Sequence, residues 1–236
     1  MRGPVASTRQ QVYEQLRARI IRLDLEPGSA LSENDLAAEL GVSRTPVRES
    51  LILLGEEGLV DVYPQLGTFV SRIRIGDVAS AQFVREALEL AALRDAVGEA
   101  GPRDIVELRR LVRAQEDAAQ DGDSEGFFRF DEAFHARLMA VGGHAAAWQV
   151  VAGAKAQLDR ARRLSLPLTQ QMPLLIGQHG AVVDLLEAAD GPAAEESLRG
   201  HLRLVFGDVE RIRARHPELF TEDGPAPRPR RKPAGR

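Results

Sequence analysis

Asp131, His135, His179 and His201 are the residues of this chain whose types and spacing could hold a metal ion. Asp131 and His135 stand at i and i+4 in FRFDEAFHARLM. On a helix that spacing is about 400°, so both side chains project from one face, one turn apart. His179 and His201 fall mid-way along two later helical stretches. Phe127, Phe128, Phe130, Phe134 and Leu138 surround the first pair, which predicts that these polar groups are partly buried inside a helical bundle. Three imidazoles and one carboxylate suit Zn²⁺, Ni²⁺ or a similar divalent ion with coordination positions to spare. On spacing alone, separate hydrogen-bonded histidines are the commoner outcome. His144 and His216 sit at helix boundaries beside Gly143 and Pro217, where capping or solvent exposure accounts for them. They are left out of the site.

A second constellation suits nucleic acid. Arg44, Thr45 and Arg48 lie in the first two turns of a helix that opens at an N-cap Ser43. An arginine can pair bidentately with O6 and N7 of guanine, which discriminates by ~1–3 kcal/mol. Ser43, Thr45 and the free N–H groups of the helix start can donate to phosphates. Pro46 occupies the first turn, where its missing N–H costs nothing.

The elements that must position these residues follow from the pattern around them. A short amphipathic helix over 33–40 precedes the turn Gly41-Val42-Ser43. After the second helix come two apolar runs, Leu59-Val60-Asp61-Val62 and Thr68-Phe69-Val70, joined by Pro-Gln-Leu-Gly. Two helices, a glycine turn and a β-hairpin form a winged helix-turn-helix, which lays one helix in a DNA major groove. An earlier helix over 8–24 carries Val12, Leu16, Ile20 and Leu23 at helical spacing.

From Gly76-Asp77 the texture changes to long amphipathic helices, roughly 77–99, 103–120, 124–141, 145–165, 171–189 and 193–215. Gly or Pro stops each one. Six such helices with short turns predict an antiparallel bundle. The segment GPAPRPRRKPAGR from Gly224 has four Pro, five basic and no acidic residues. It cannot bury a core and is expected to be disordered. The fold class is therefore mainly α: a winged helix-turn-helix over 1–75, a six-helix antiparallel bundle over 76–220 and a basic tail over 221–236.

Composition narrows the function classes. There is no cysteine, which excludes disulfides, zinc–thiolate sites and cysteine nucleophiles. No apolar run approaches the ~18–20 residues of a membrane span, and the N-terminus lacks a signal-peptide core. A cytoplasmic protein with no membrane partner is expected. Lys occurs only at 155 and 232, so nearly all basic residues are Arg, a bias of GC-rich genomes. The net charge of −4 is not that of a generic DNA binder, and residues 1–75 hold nine Arg against ten Asp plus Glu. DNA binding must rest on where the arginines stand.

The run SRTPVRESLILLGEEGLV, followed by GTFV, resembles the N-terminal domain of GntR-family transcription regulators. The helical region resembles the FadR-type branch of that family, which carries an FCD effector domain. The resemblance spans about residues 8–216. It implies that Arg44, Thr45 and Arg48 read the operator and that Gly67, at the wing tip, approaches the minor groove. Asn34 stands where some relatives carry a DNA-contacting arginine. Asp-x-x-x-His with two later helix histidines is the metal pattern of one group of these sensor domains. The resemblance thus assigns Asp131, His135, His179 and His201 to a divalent ion, Zn²⁺ ahead of Ni²⁺.

Arg85, in FVREALELAALRDA, is on its own residues a snorkelling side chain as readily as a buried one. By resemblance it faces the effector pocket, where its guanidinium would fork onto a small carboxylic acid. Arg160, Arg162 and Arg163 are further candidates, expected on a solvated face. The function implied is a homodimeric, ligand-responsive transcription regulator and not an enzyme. It would be a repressor on a pseudo-palindromic operator, released by an organic acid bound at the metal site. Two alternatives stay open. The ion itself could be the signal, or an open metal position could activate water for hydrolysis. Against hydrolysis stand the lack of a general base near the four ligands, of a phosphate loop and of a nucleophile motif.

Overall fold

The structure, a computed structural model, describes residues 7–169 and 171–221. They form two compact units: residues up to Asp77 together with those from Arg213 on, and Val78–Ile212.

The first unit begins with α1 (Thr8–Ile21), capped by the Ser7 side chain, which accepts from the Gln10 N–H. After β1 (Ala30–Leu31), Ser32 caps α2 (Glu33–Leu40) by accepting from the Asp35 N–H. Gly41 ends α2 at φ 65°, a left-handed conformation that costs a residue with a Cβ ~1–2 kcal/mol. The turn thus needs its glycine, and α3 (Arg44–Glu56) starts at once. Val47, Ser50, Leu51 and Leu54 recur at helical spacing and are buried. That stripe faces the core with Val12, Leu16 and Ile20 of α1. The opposite face of α3 is left to solvent. β2 (Val60–Tyr63) and β3 (Gly67–Val70) form the wing hairpin, with Val60 opposite Val70 and Tyr63 opposite Gly67. β1 pairs antiparallel with the other side of β3.

The second unit contains most of α4 (Ile75–Ala96), all of α5 (Pro102–Gln120), α6 (Ser124–Val141), α7 (Trp148–Ala154), α8 (Ala156–Thr169) and α9 (Met172–Glu187), and most of α10 (Gly191–Arg215). Leu93, Leu108, Phe127, Phe134, Leu138, Val182, Val183 and Leu198 form its core, all fully buried. The sequence breakers act as caps. The Asp104 carboxylate accepts from the Gly101 N–H before α5, and Asp123 accepts from the Gly126 N–H at α6.

The helix expected over 145–165 is broken at Lys155 into α7 and α8, so the bundle carries one more helix than the breakers imply. Lys155 turns inward there. Its Nζ donates to both carboxylate oxygens of Asp159, at 2.8 and 2.6 Å, and pairs with Glu132. A buried ammonium requires such partners.

β4 (Ile73–Arg74) pairs in parallel with β5 (Phe220–Thr221). The chain after α10 therefore groups with the first unit, whereas the sequence reading carried the helical domain to 220. Arg72 Nε, which donates to the Glu218 carbonyl at 2.7 Å, reinforces that pairing. The basic tail expected to be disordered lies, from 222 on, outside the described residues. No helix among the described residues is long and apolar enough to cross a membrane.

Candidate functional site

Three helices bring the four candidate ligands together. α6 supplies Asp131 and His135, α9 supplies His179 and α10 supplies His201. Each ligand occupies a place on its helix's apolar stripe. In α6 that stripe runs Phe127, Phe128, Asp131, Phe134, His135, Leu138, and in α9 it runs Leu175, Ile176, His179, Val182, Val183. Packing these stripes against one another buries all four polar side chains.

Their inward atoms converge. His179 Nε2 lies 3.1 Å from His201 Nε2, which lies 3.3 Å from His135 Nε2. Asp131 Oδ1 is 3.7 Å from His179 Nε2 and 4.0 Å from His135 Nε2. The outward nitrogens are all held. His135 Nδ1 donates to Glu89 Oε2 at 2.6 Å, His179 Nδ1 to Gln115 Oε1 at 2.7 Å and His201 Nδ1 to Gln178 Oε1 at 3.1 Å. With the proton on Nδ1, a neutral ring presents an Nε2 lone pair to the centre. Burial pushes the His179 imidazole down to about 3, and burial followed by the neighbouring His179 and His135 pushes His201 well below its ordinary range. Both rings are therefore neutral at physiological pH.

Three imidazole Nε2 atoms and one carboxylate oxygen thus face one another. Asp131 Oδ1 is buried and has no hydrogen-bond partner among the described residues. Burial raises the Asp131 carboxyl, but the Arg162 guanidinium outweighs it, holding the group ionised well below the usual range. With the rings neutral and protonated on Nδ1, such a set is matched by a cation at its centre. First-row divalent ions with N/O ligands at ~2.0–2.2 Å place those ligands roughly 3.3 Å apart in tetrahedral geometry. The imidazole spacings of 3.1 and 3.3 Å are near that value, and Asp131 Oδ1 stands farther out, at 3.7 and 4.0 Å. The buried Asp131, His135, His179 and His201 group could therefore hold a metal ion.

Further residues complete the surroundings. Arg162 Nη2 donates to Asp131 Oδ2 at 2.5 Å, and Nη1 to Glu132 Oε1 at 3.0 Å. Arg162 and Arg160 are buried rather than solvated, because each meets polar partners inside the bundle. Arg163 lies over the Phe128 ring and pairs with Glu125. Arg85 Nε donates to Glu89 Oε1 at 2.6 Å, so it steadies the carboxylate that orients His135. Arg85 Nη2 is buried with no hydrogen-bond partner among the described residues. It lines a cavity of ≈ 30 Å³ with Arg162, Ser165, His201 and Asp208. That is room for about one water molecule. His144, paired with Asp95, and His216, beside Glu218, are about half exposed and stand apart from the group.

Sequence reasoning missed Glu89, Gln115, Gln178 and the role of Arg162. Gln115 carried a readable signal. It interrupts the buried stripe Leu108, Leu111, Val112, Ala118 of α5, where a polar side chain needs a reason.

On the first unit, Ser43, Arg44, Thr45 and Arg48 stand exposed at the start of α3. Ser43 occupies the N-cap position but makes no side-chain capping hydrogen bond. Both arginines meet the Glu33 carboxylate at 3.0 Å. Gly67 is exposed at the wing with φ 123°, where a Cβ would be strained. Asn34 is exposed near the start of α2.

Comparison with known proteins gives two family matches. Residues 8–70 match the gntR family of bacterial regulatory proteins, and residues 81–204 match the FCD domain. Over 92% of this chain and 91% of the relative, it is 50% identical to an uncharacterized HTH-type transcriptional regulator in an unstable DNA locus of Streptomyces ambofaciens. It is 31% identical to the HTH-type transcriptional repressor RspR of Escherichia coli K12, over 94% of this chain and 97% of that one. Among solved structures, E. coli McbR/YncC superposes with a TM-score of 0.72 at 21% identity, over 88% of this chain and 99% of that one. A putative transcriptional regulator GntR from Rhodococcus sp. RHA1 superposes with 0.73 at 22% identity, over 87% and 99%. These two likenesses establish the fold.

Proposed function

The chain belongs to the gntR family of bacterial regulatory proteins and carries an FCD domain, so it is a transcriptional regulator and not an enzyme; on that footing we propose that it is a homodimeric cytoplasmic repressor, released from a pseudo-palindromic operator by a small carboxylic acid. Ser43, Arg44, Thr45 and Arg48 contact the operator from the exposed start of α3, and Gly67 lets the wing approach the minor groove. Repression follows two of its relatives, the repressor RspR and a probable D-xylose utilization operon transcriptional repressor of Paenarthrobacter nicotinovorans.

One observation carries the sensor reading: a buried carboxylate oxygen and three imidazole lone pairs converge beside a cavity lined by a half-used arginine. Asp131, His135, His179 and His201 hold a divalent ion, Zn²⁺ ahead of Ni²⁺, because imidazole and carboxylate in this number suit both. Such an ion supplies a Lewis-acidic anchor for a carboxylate. Arg85 then offers Nη2 to the acid while its Nε stays on Glu89. An acid can change operator affinity only by its differential affinity for the DNA-bound and released states, typically ~1–3 kcal/mol.

A second reading draws on the cavity itself. Its ≈ 30 Å³ leaves no room for an organic acid until side chains move, which favours the ion alone as the signal. One experiment separates the two. Operator affinity is measured across a metal titration, with and without a panel of small carboxylic acids, in wild type and in Arg85→Ala. The acid reading expects release that needs both metal and acid in wild type and is lost in Arg85→Ala with metal content retained. Full release by metal alone would make the ion the signal.

A further inference from the structure

Glu33 opens α2 and stands beside the two arginines that open α3. Its carboxylate accepts three hydrogen bonds: Arg48 Nε to Oε1, Arg48 Nη2 to Oε2 and Arg44 Nη2 to Oε2, each 3.0 Å. The arginine side chains are 62% and 58% exposed, while Glu33 is only 25% exposed. Hydrogen bonds from Arg48 and then Arg44 hold the Glu33 carboxyl below its ordinary range, so it is charged wherever DNA would be bound. Exposed ion pairs of this kind contribute little to stability. Their value must be sought in what they do to the arginines.

A guanidinium offers two bidentate edges, Nε–Nη2 along its side and Nη1–Nη2 at its end. Glu33 occupies the side edge of Arg48. The end edge has no partner among the described residues, and it carries the spacing that fits O6 and N7 of guanine. Glu33 itself sits on a helix fixed by the Ser32 cap and the Gly41 turn. It therefore ties both long side chains to a rigid element and removes rotamer freedom that docking would otherwise have to remove. It also cancels one of the two positive charges that draw this surface to any phosphate backbone.

We propose that Glu33 is a positioning residue for DNA readout: it holds Arg48 by its inner edge and Arg44 by one Nη2, so that the donors left outward meet the operator, and it lowers attraction to random DNA. This rests on the reading that Arg44 and Arg48 contact the operator. Bulk attraction is given up for discrimination between sequences.

The test uses the full chain and two duplexes of equal length: one selected by the wild type from a randomised pool, and one scrambled. The specificity ratio is the scrambled-duplex Kd divided by the selected-duplex Kd. In Glu33→Gln the side chain keeps its size and loses its charge. Binding to scrambled DNA should tighten severalfold while binding to the selected duplex weakens, so that the ratio falls roughly tenfold. Asp35→Asn removes a charge from the same first turn of α2 and should tighten both duplexes with the ratio unchanged. Circular dichroism establishes that both variants are folded. If Glu33→Gln behaves like Asp35→Asn, Glu33 acts only through its charge and the proposal falls. If Glu33→Gln raises the ratio, Glu33 is a competitor that DNA displaces, and the proposal falls again. Arg48→Ala on the same duplexes reports on the underlying reading: an unchanged ratio there would remove Arg48 from the operator, and the role of Glu33 with it.

Discussion

Asp131 Oδ1 and the Nε2 atoms of three histidines converge on one point, and this shapes what single substitutions should do. His179→Ala removes one of the four proposed ligands. Bound metal per chain and thermal stability should fall together, because ion binding adds to the stability of the fold that presents the ligands. Elemental analysis and thermal unfolding, with and without chelator, check this. Unchanged metal content in all four single ligand variants would place the ion elsewhere. Gln115 touches no ion, yet its Oε1 fixes the ring of His179. Gln115→Leu keeps the volume and removes that acceptor. It should weaken metal affinity ~10–100-fold with the fold retained, as measured by competition with a chelator. Undiminished affinity would mean that packing alone orients His179. Arg85 presents the converse case, since one of its nitrogens steadies Glu89 and another lacks a partner. The loss of acid response expected for Arg85→Ala is therefore read beside its metal content.

At the scale of elements, the break between α7 and α8 is an electrostatic feature of the bundle. Lys155 is nearly fully buried, with Asp159 and Glu132 as its partners, and Arg162 links Glu132 onward to Asp131. The junction and the candidate metal group thus share one chain of buried charges. Lys155→Ala leaves two carboxylates without their ammonium. Removing one partner of a buried pair costs about 3–5 kcal/mol, far more than a surface pair of the same geometry. Urea unfolding should show a loss of that order, and the double replacement K155M/D159L should recover part of it. A loss below about 1 kcal/mol would mean that water screens the cluster. The recognition element differs in kind. α3 buries Val47, Ser50, Leu51 and Leu54, and its outward arginines leave that stripe undisturbed.

For the whole molecule, charge is the governing quantity. A chain of net charge −4 gains little from the general field around DNA, so affinity must come from a few well-placed groups. One recognition helix reads only a few base pairs, so the proposed homodimer draws its remaining specificity from a second copy on a twofold site. Two chains should bind each operator, and a duplex holding a single half-site should bind far more weakly. Affinity should fall with salt less steeply than for a basic binder, since fewer phosphates are neutralised. Stoichiometric titration at several salt concentrations tests all three. Full affinity for one chain on a half-site would refute the dimer.

How much of this was legible depends on the range of the interactions involved. The winged helix-turn-helix was readable because its determinants are local: the Ser32 cap, the left-handed Gly41 and the apolar stripe of α3 lie within a few residues of what they control. The candidate ligand set was legible only in part from spacing, and the family resemblance singled it out. Asp131 and His135 are one turn apart, and each of the later histidines stands on the apolar stripe of its own helix. What orients the ligands was not readable. Glu89 is 46 residues from His135, and Gln115 is 64 from His179. Arg162 looked like a solvated residue of an amphipathic helix until a carboxylate 31 positions away met it in the core. The return of Phe220 to Ile73 and the inward turn of Lys155 belong to the same class. Periodicity in a sequence says which face of a helix is buried. It does not say which helix lies opposite, and a buried charge is stable only beside the partner that the opposite helix supplies. Local pattern therefore determined the elements and the buried faces that carry the candidate ligands, and tertiary packing decided their partners.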